Sequence, residues 1–328
     1  MLANTVTFAS EQIYENCKSI GFPWSVITSS TPNASLAAVL AGFMMTAVTF
    51  LLRERGNGKL ATFETHTAAL FGSGVLVLGL DAYLFGNIVA SAPMVINSDH
   101  SIQAGMTYPC AIAWTQAMPA SSMLAAGACS MLAGLAWVLA NHFADNPRLS
   151  GFLLYLPGIL IWTVLSTSSL LLVRTSAVYL VFMNNQFERD SADLLRPLSW
   201  HIWEAFVVLI TCIIAFKART LKIRQNRRLE LNPNHKALAA ASIFTALLAA
   251  VGIGFASFTA ELIDFGWFVD ERTHIPTLHS VYFAYALVVL PIWLIMLPIA
   301  LAAPTGQARL DAGQENGQRQ EQQERSEL

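Results

Sequence analysis

Charge is what this chain has least of. Asp, Glu, Lys and Arg together make up 12% of its 328 residues, whereas a soluble domain carries about a quarter. That deficit excludes an ordinary soluble domain of this length. The net charge of −2 excludes the basic footprint of a nucleic-acid-binding protein. Several catalytic signatures are also missing. There is no HExxH zinc motif. Gly72-Ser73-Gly74 falls short of the GxSxG nucleophile pattern. No lysine lies in any long apolar window, so a retinal Schiff base has no attachment point. The first 34 residues lack a basic start followed by an apolar run, so no cleavable signal peptide is expected.

What the chain has instead is apolar length. Apolar residues are 55% of it and the mean hydropathy is +0.51. The apolar residues gather in seven windows, at 35–52, 67–90, 120–141, 152–173, 200–216, 237–258 and 279–303. A helix needs roughly 20 such residues to cross a bilayer. The expected fold is therefore an all-α membrane protein, a bundle of seven transmembrane helices in direct contact with lipid. Residues 1–34 form an extracytoplasmic segment in this reading, and 35–303 form the membrane domain. Residues 304–328, rich in Gln and Glu, cannot bury enough surface to fold and are expected to be a disordered tail.

Basic residues orient the bundle. With the N-terminus outside, fourteen of the nineteen Lys and Arg fall on the cytoplasmic side, seven of them in 217–236. Only Lys18, Arg174, Arg189, Arg196 and Arg272 remain outside. That asymmetry predicts an outer N-terminus and a cytoplasmic C-terminus, in a plasma membrane of bacterial type. Seven spans in this orientation invite comparison with G-protein-coupled receptors. However, the third span ends Asn141-His142-Phe143 rather than Asp-Arg-Tyr, and the seventh has no NPxxY. The likeness stops at a count and a topology, and that family is not assigned.

The chain is organised around 67–90, TAALFGSGVLVLGLDAYLFGNIVA. Gly72, Gly79 and Gly86 recur every seven residues and form one stripe, where a partner helix can approach closely. Asp81 is two residues past Gly79, about 200° around the axis, and so lies nearly opposite. A carboxyl at that depth needs protein or water around it. Both faces therefore predict neighbours and a central place for this helix. Small residues at four-residue spacing, Ser122, Ala126, Ser130 and Gly134, then Ser242, Ala246, Ala250 and Gly254, predict close packing of the third and sixth spans.

The ionisable groups collect toward one membrane side. Asp81 is nine residues, about 14 Å, from the outer end of its span. Arg174 follows the fourth span, and His201 and Glu204 open the fifth. Glu261 and Asp264 follow the sixth, and His279 opens the seventh. These seven residues are the expected lining of an outward-facing polar pocket for a small ligand or ion, in which Asp81 pairs with Arg174 or accepts hydrogen bonds from His201.

A haem between His201 and His279 is sterically conceivable, but lone histidines at helix ends are more often structural. No cofactor or metal is expected. Cys129 and Cys212 fall inside spans, while Cys17 and Cys110 fall outside in an oxidising compartment, as a candidate disulfide. The functional expectation is a non-enzymatic sensor or accessory subunit, with a partner reached through 217–236 or the tail. The alternatives are a proton- or cation-coupled permease and, third, a membrane enzyme.

Overall fold

The computed structural model describes residues 17, 25–53, 62–90, 108–144, 151–187, 235–259, 262 and 278–302. Among the described residues the chain is almost entirely helical and has no β-strand. Five helices are long and apolar enough to cross a membrane. We number the helices α1 (Val26–Arg53), α2 (Thr62–Ala90), α3 (Tyr108–Ala144), α4 (Gly151–Phe187) and α5 (His235–Ser257). A last helical run is built from α6 (Leu278–Pro291), a π-helical turn over Ile292–Met296 and α7 (Leu297–Ala302). The expected span 200–216 lies outside the described residues.

Several helices begin earlier or end later than hydropathy predicts. The first span, expected from residue 35, begins at Val26. Pro32 lies within its second turn, where its missing N–H leaves the Thr28 carbonyl without a helical donor. The stretch 108–119, which belongs to the loop 91–119 left between the second and third apolar windows, is the first third of α3. The apolar run after Arg174 keeps α4 helical to Phe187. A single arginine does not end a helix, because its long apolar stem lets the charged head reach away from hydrocarbon.

The bundle core is set by seven-residue rows on α2. Leu70, Val77 and Leu84 form one buried row, Phe71, Leu78 and Phe85 a second, and Gly74, Asp81 and Ile88 a third. A repeat of seven keeps these residues facing one set of neighbours along the helix. Lipid is as apolar as leucine, so the hydrophobic effect cannot hold the helices together and close packing must. Small residues on α3 allow it. A side chain at Gly134 would collide with the ring of Phe71, and one at Gly127 with Leu78. Two aliphatic or aromatic knobs on α2 thus enter two glycine gaps on α3. The knobs advance by seven as the gaps retreat by seven, so α2 and α3 are antiparallel. Met44 of α1 fills the gap at Gly74 in the same manner, and Met123 of α3 fills that at Gly252 of α5.

The predicted α3 stripe is buried throughout: Ser122, Ala126, Ser130 and Gly134 all face inward. The α5 stripe is not, because Ala250 is exposed and Gly254 has open space beside it. The α2 glycine stripe also differs from expectation. Gly72, Gly79 and Gly86 are exposed, and among the described residues nothing approaches them. Only the Asp81 face of α2 is packed. Large apolar side chains such as Phe43, Phe50, Leu170 and Ile243 point outward, as befits helices in contact with lipid.

One end of the bundle is tied to the N-terminal segment. Cys17 and Cys110 are joined by a disulfide, with Cα atoms 5.2 Å apart. The Trp114 indole N–H, one turn further into α3, donates to the Cys17 carbonyl at 2.9 Å. Trp114 stacks in turn on Phe182 of α4, with ring centroids 5.3 Å apart. Continuing the α2–α3 register brings Ala90 to about the height of Thr115, so Cys110 lies beyond the end of α2.

Candidate functional site

Asp81 is the charge-bearing side chain that the described part of the bundle encloses. Its accessibility is 0%, and among the described residues neither carboxylate oxygen has a hydrogen-bond partner. The cause of its burial is its place in the α2 repeat. It stands one turn from Val77 and Leu78 on one side and one turn from Leu84 and Phe85 on the other, all buried. The same repeat that delivers leucine and phenylalanine to the core delivers the carboxyl with them. Continuing the α2–α3 register puts Asp81 at about the height of Leu124.

Arg174 does not pair with it. On α4, Phe182 stacks against Trp114, Tyr179 faces Thr115, and Ser168 meets Cys129. This antiparallel register puts Arg174 near the height of Ser122, within about 3 Å of the Asp81 level along the axis. The two are thus close in depth, but Arg174 is exposed on the outer face of α4 while Asp81 is buried inside. The shared depth was not legible, because hydropathy ends the fourth span at 173 and so sets Arg174 at the membrane edge, about 14 Å outward of Asp81, whereas α4 runs on to Phe187. Which side of α4 faced the core was not legible either, since that helix is apolar all round.

His279 is the second residue of α6, and its side chain lies outside the described ones. His201, Glu204, Glu261 and Asp264 also lie outside the described residues. Of the seven expected site residues, the described structure thus encloses Asp81 and brings none of the others to it.

Other buried polar groups flank the Asp81 level. Toward the disulfide end, Thr115 and Tyr179 are fully buried, and their hydroxyls approach one another without closing an ordinary hydrogen bond. Gln116 donates its side-chain amide to the Ala256 carbonyl at 3.2 Å. Toward the opposite end, the hydroxyls of Ser130 and Thr245 lie 3.4 Å apart, and Ser169 donates to the Met296 sulfur at 3.5 Å. Ser130 and Thr245 link α3 to α5, and Ser169 links α4 to the π turn. In the sequence Ser130 stands out only as a small residue in a four-residue repeat. Isolated hydroxyls in apolar windows read as packing residues. Tyr179 falls beyond residue 173, where the fourth span was expected to end. The signal available for Thr115 was Pro119 four residues on, which leaves the Thr115 carbonyl without its helical donor.

Among the described residues, no group of three or more His, Cys, Asp or Glu is placed to hold a metal ion. Chemically, the arrangement offers one carboxyl and several hydroxyls in an apolar bundle. It can accept a proton or a small cation at Asp81 and hydrogen bonds at the hydroxyls. No family model matches the chain, and no curated protein or solved structure is similar to it.

Proposed function

We propose that this chain is a seven-span plasma-membrane protein, N-terminus outside and C-terminus cytoplasmic, whose interior binds a proton or small cation at Asp81. It acts as a sensor or accessory subunit and not as an enzyme. The observation that carries this reading is the complete burial of Asp81 with both oxygens unpartnered among the described residues. Burying a bare carboxylate is among the most expensive arrangements a protein can hold. An apolar residue at that position would pack against Leu78, Leu84 and Phe85 at far lower free energy. A carboxyl there is explained by an occupant that compensates its charge, and intramembrane acids serve such roles.

The orientation draws support from the Cys17–Cys110 disulfide, since disulfides persist in oxidising compartments. The seven basic residues of 217–236 suit the cytoplasmic side and an acidic partner or lipid there. A second reading, a proton- or cation-coupled permease, draws on the polar side chains buried on both sides of the Asp81 level. It predicts substrate flux into vesicles, which a sensor does not show.

The test uses purified full-length protein in lipid nanodiscs. Its thermal midpoint is measured against pH, Na⁺, K⁺ and Li⁺, for the wild type and for Asp81→Asn. An ion that binds the folded state raises the midpoint by several degrees once it is well above its dissociation constant. The wild type should respond to protons or to one cation, and Asp81→Asn should lose that response while still accumulating in the membrane. Identical curves for the two proteins under every condition would end the ion-binding reading.

A further inference from the structure

We propose a buried water site, separate from Asp81, where Pro119 interrupts the hydrogen bonding of α3. Pro119 lies inside α3 and has no N–H, so the carbonyl of Thr115, four residues earlier, loses its helical donor. The Thr115 hydroxyl and the Tyr179 hydroxyl stand at the same level, both fully buried, and among the described residues neither closes an ordinary hydrogen bond. They face each other across the α3–α4 contact. Two buried hydroxyls, each able both to donate and to accept, thus lie at the same level of the α3–α4 contact as a carbonyl that has lost its helical donor.

Buried polar groups left unmet by protein are ordinarily met by water, which needs two to four such partners. A single water matches this set. It donates to the Thr115 carbonyl and to one hydroxyl, and it accepts from the other. A hard cation fits poorly, because Na⁺, K⁺ or Ca²⁺ requires more oxygens than three and a compensating charge, and Asp81 is too far away. Along α3, Thr115 is about nine residues from the Asp81 level, roughly 13 Å. The walls are apolar, since Trp114 and Phe182 stack beside the site, so water there is confined and not an extension of the bulk. The site ties α3 to α4 at the turn where α3 lacks a backbone bond, next to the Cys17–Cys110 link.

Two measurements on the full-length protein in nanodiscs test this. The first compares thermal midpoints of Tyr179→Phe, Thr115→Val and the double variant. If water satisfies the hydroxyls, each single change removes real hydrogen bonds and lowers the midpoint by about 2–4 °C. If the hydroxyls are dry, removing them relieves unmet polar groups and leaves the midpoint unchanged or raises it, which overturns the proposal. The second measurement needs no variant. X-ray hydroxyl-radical footprinting in ¹⁸O-labelled water oxidises side chains that touch bound water, even inside a bundle. Tyr179 should acquire the label at a rate well above that of Phe182, which is equally buried and offers no polar atom. Equal, background labelling of the two would also overturn it. Neither readout involves Asp81, so failure here leaves the ion-binding reading untouched, and failure there leaves this site untouched.

Discussion

The hydroxyl of Ser122 donates to the carbonyl of Leu287 at 2.7 Å, and Leu287 is the residue whose helical partner Pro291 removes. Pro291 stands four residues on and has no N–H to give. The chain thus breaks one helix with a proline and repairs the loss from another helix. In a bilayer such a loss must be met from within the bundle, here by a side chain of a neighbouring helix, since the surrounding hydrocarbon supplies no donor. The π turn that follows, in which the Leu297 N–H reaches back to the Ile292 carbonyl, is the adjustment of α6 to the same proline.

This pairing makes a double-mutant prediction. Ser122→Ala leaves a buried carbonyl unmet and should cost about 1–3 kcal/mol, read as a lower midpoint in thermal unfolding. Pro291→Ala restores an N–H to the helix. In that background Ser122→Ala should cost little, so the two changes should be strongly non-additive. Equal costs in both backgrounds would show that Ser122 serves something other than the Leu287 carbonyl.

The exposed glycines of α2 and the packed glycines of α3 should respond in opposite ways. Gly134→Ala drives a methyl group into the buried ring of Phe71, and overpacking of this kind costs about 1–3 kcal/mol. Gly72→Ala and Gly79→Ala meet open space among the described residues. They should be neutral or stabilising by up to about 1 kcal/mol through helix propensity alone. Denaturation midpoints of the three variants decide the matter. Damage from Gly79→Ala equal to that from Gly134→Ala would mean that the exposed glycine row carries a partner helix after all.

The disulfide should contribute heavily to stability, because it closes a loop of 93 residues. Cys17→Ser, Cys110→Ser and the double variant should each lose roughly 2–5 kcal/mol. The three should be alike, since either change opens the same loop. Peptide mapping without reductant should recover the two cysteines in one linked peptide. Recovery of two free thiols from freshly isolated membranes would refute the link.

Orientation is tested from the basic loop. Asn226→Cys places a thiol among the seven basic residues of 217–236, with the native disulfide left in place because maleimides do not react with it. A membrane-impermeant maleimide should leave position 226 unlabelled in intact cells and label it after the membrane is opened. Labelling of intact cells would invert the whole topology.

What the sequence by itself determined was the class and the face. The scarcity of charge and the length of the apolar windows made this a helical membrane protein, because those properties are sums over residues and do not depend on arrangement. The 200° between Gly79 and Asp81 put them on opposite sides of α2, because helical geometry is local, and they are indeed exposed and buried respectively. Local geometry did not reveal which of those two faces is covered. The sequence favoured both, and among the described residues only the Asp81 face is. Hydropathy also misjudged where helices stop. A proline or an arginine lowers a window average, yet Pro119 and Arg174 both lie inside helices. Neighbouring helices and long side chains offset their local cost. Tertiary structure alone decided that Arg174 points away from Asp81 at nearly the same depth. Rotation about the axis of α4 is set by packing against α3, and an all-round apolar helix carries no sequence signal for it. Tertiary structure alone also brought Ser122 to the carbonyl that Pro291 leaves, 165 residues away in the chain. A missing backbone donor is visible in sequence, but the side chain that replaces it is chosen by the fold.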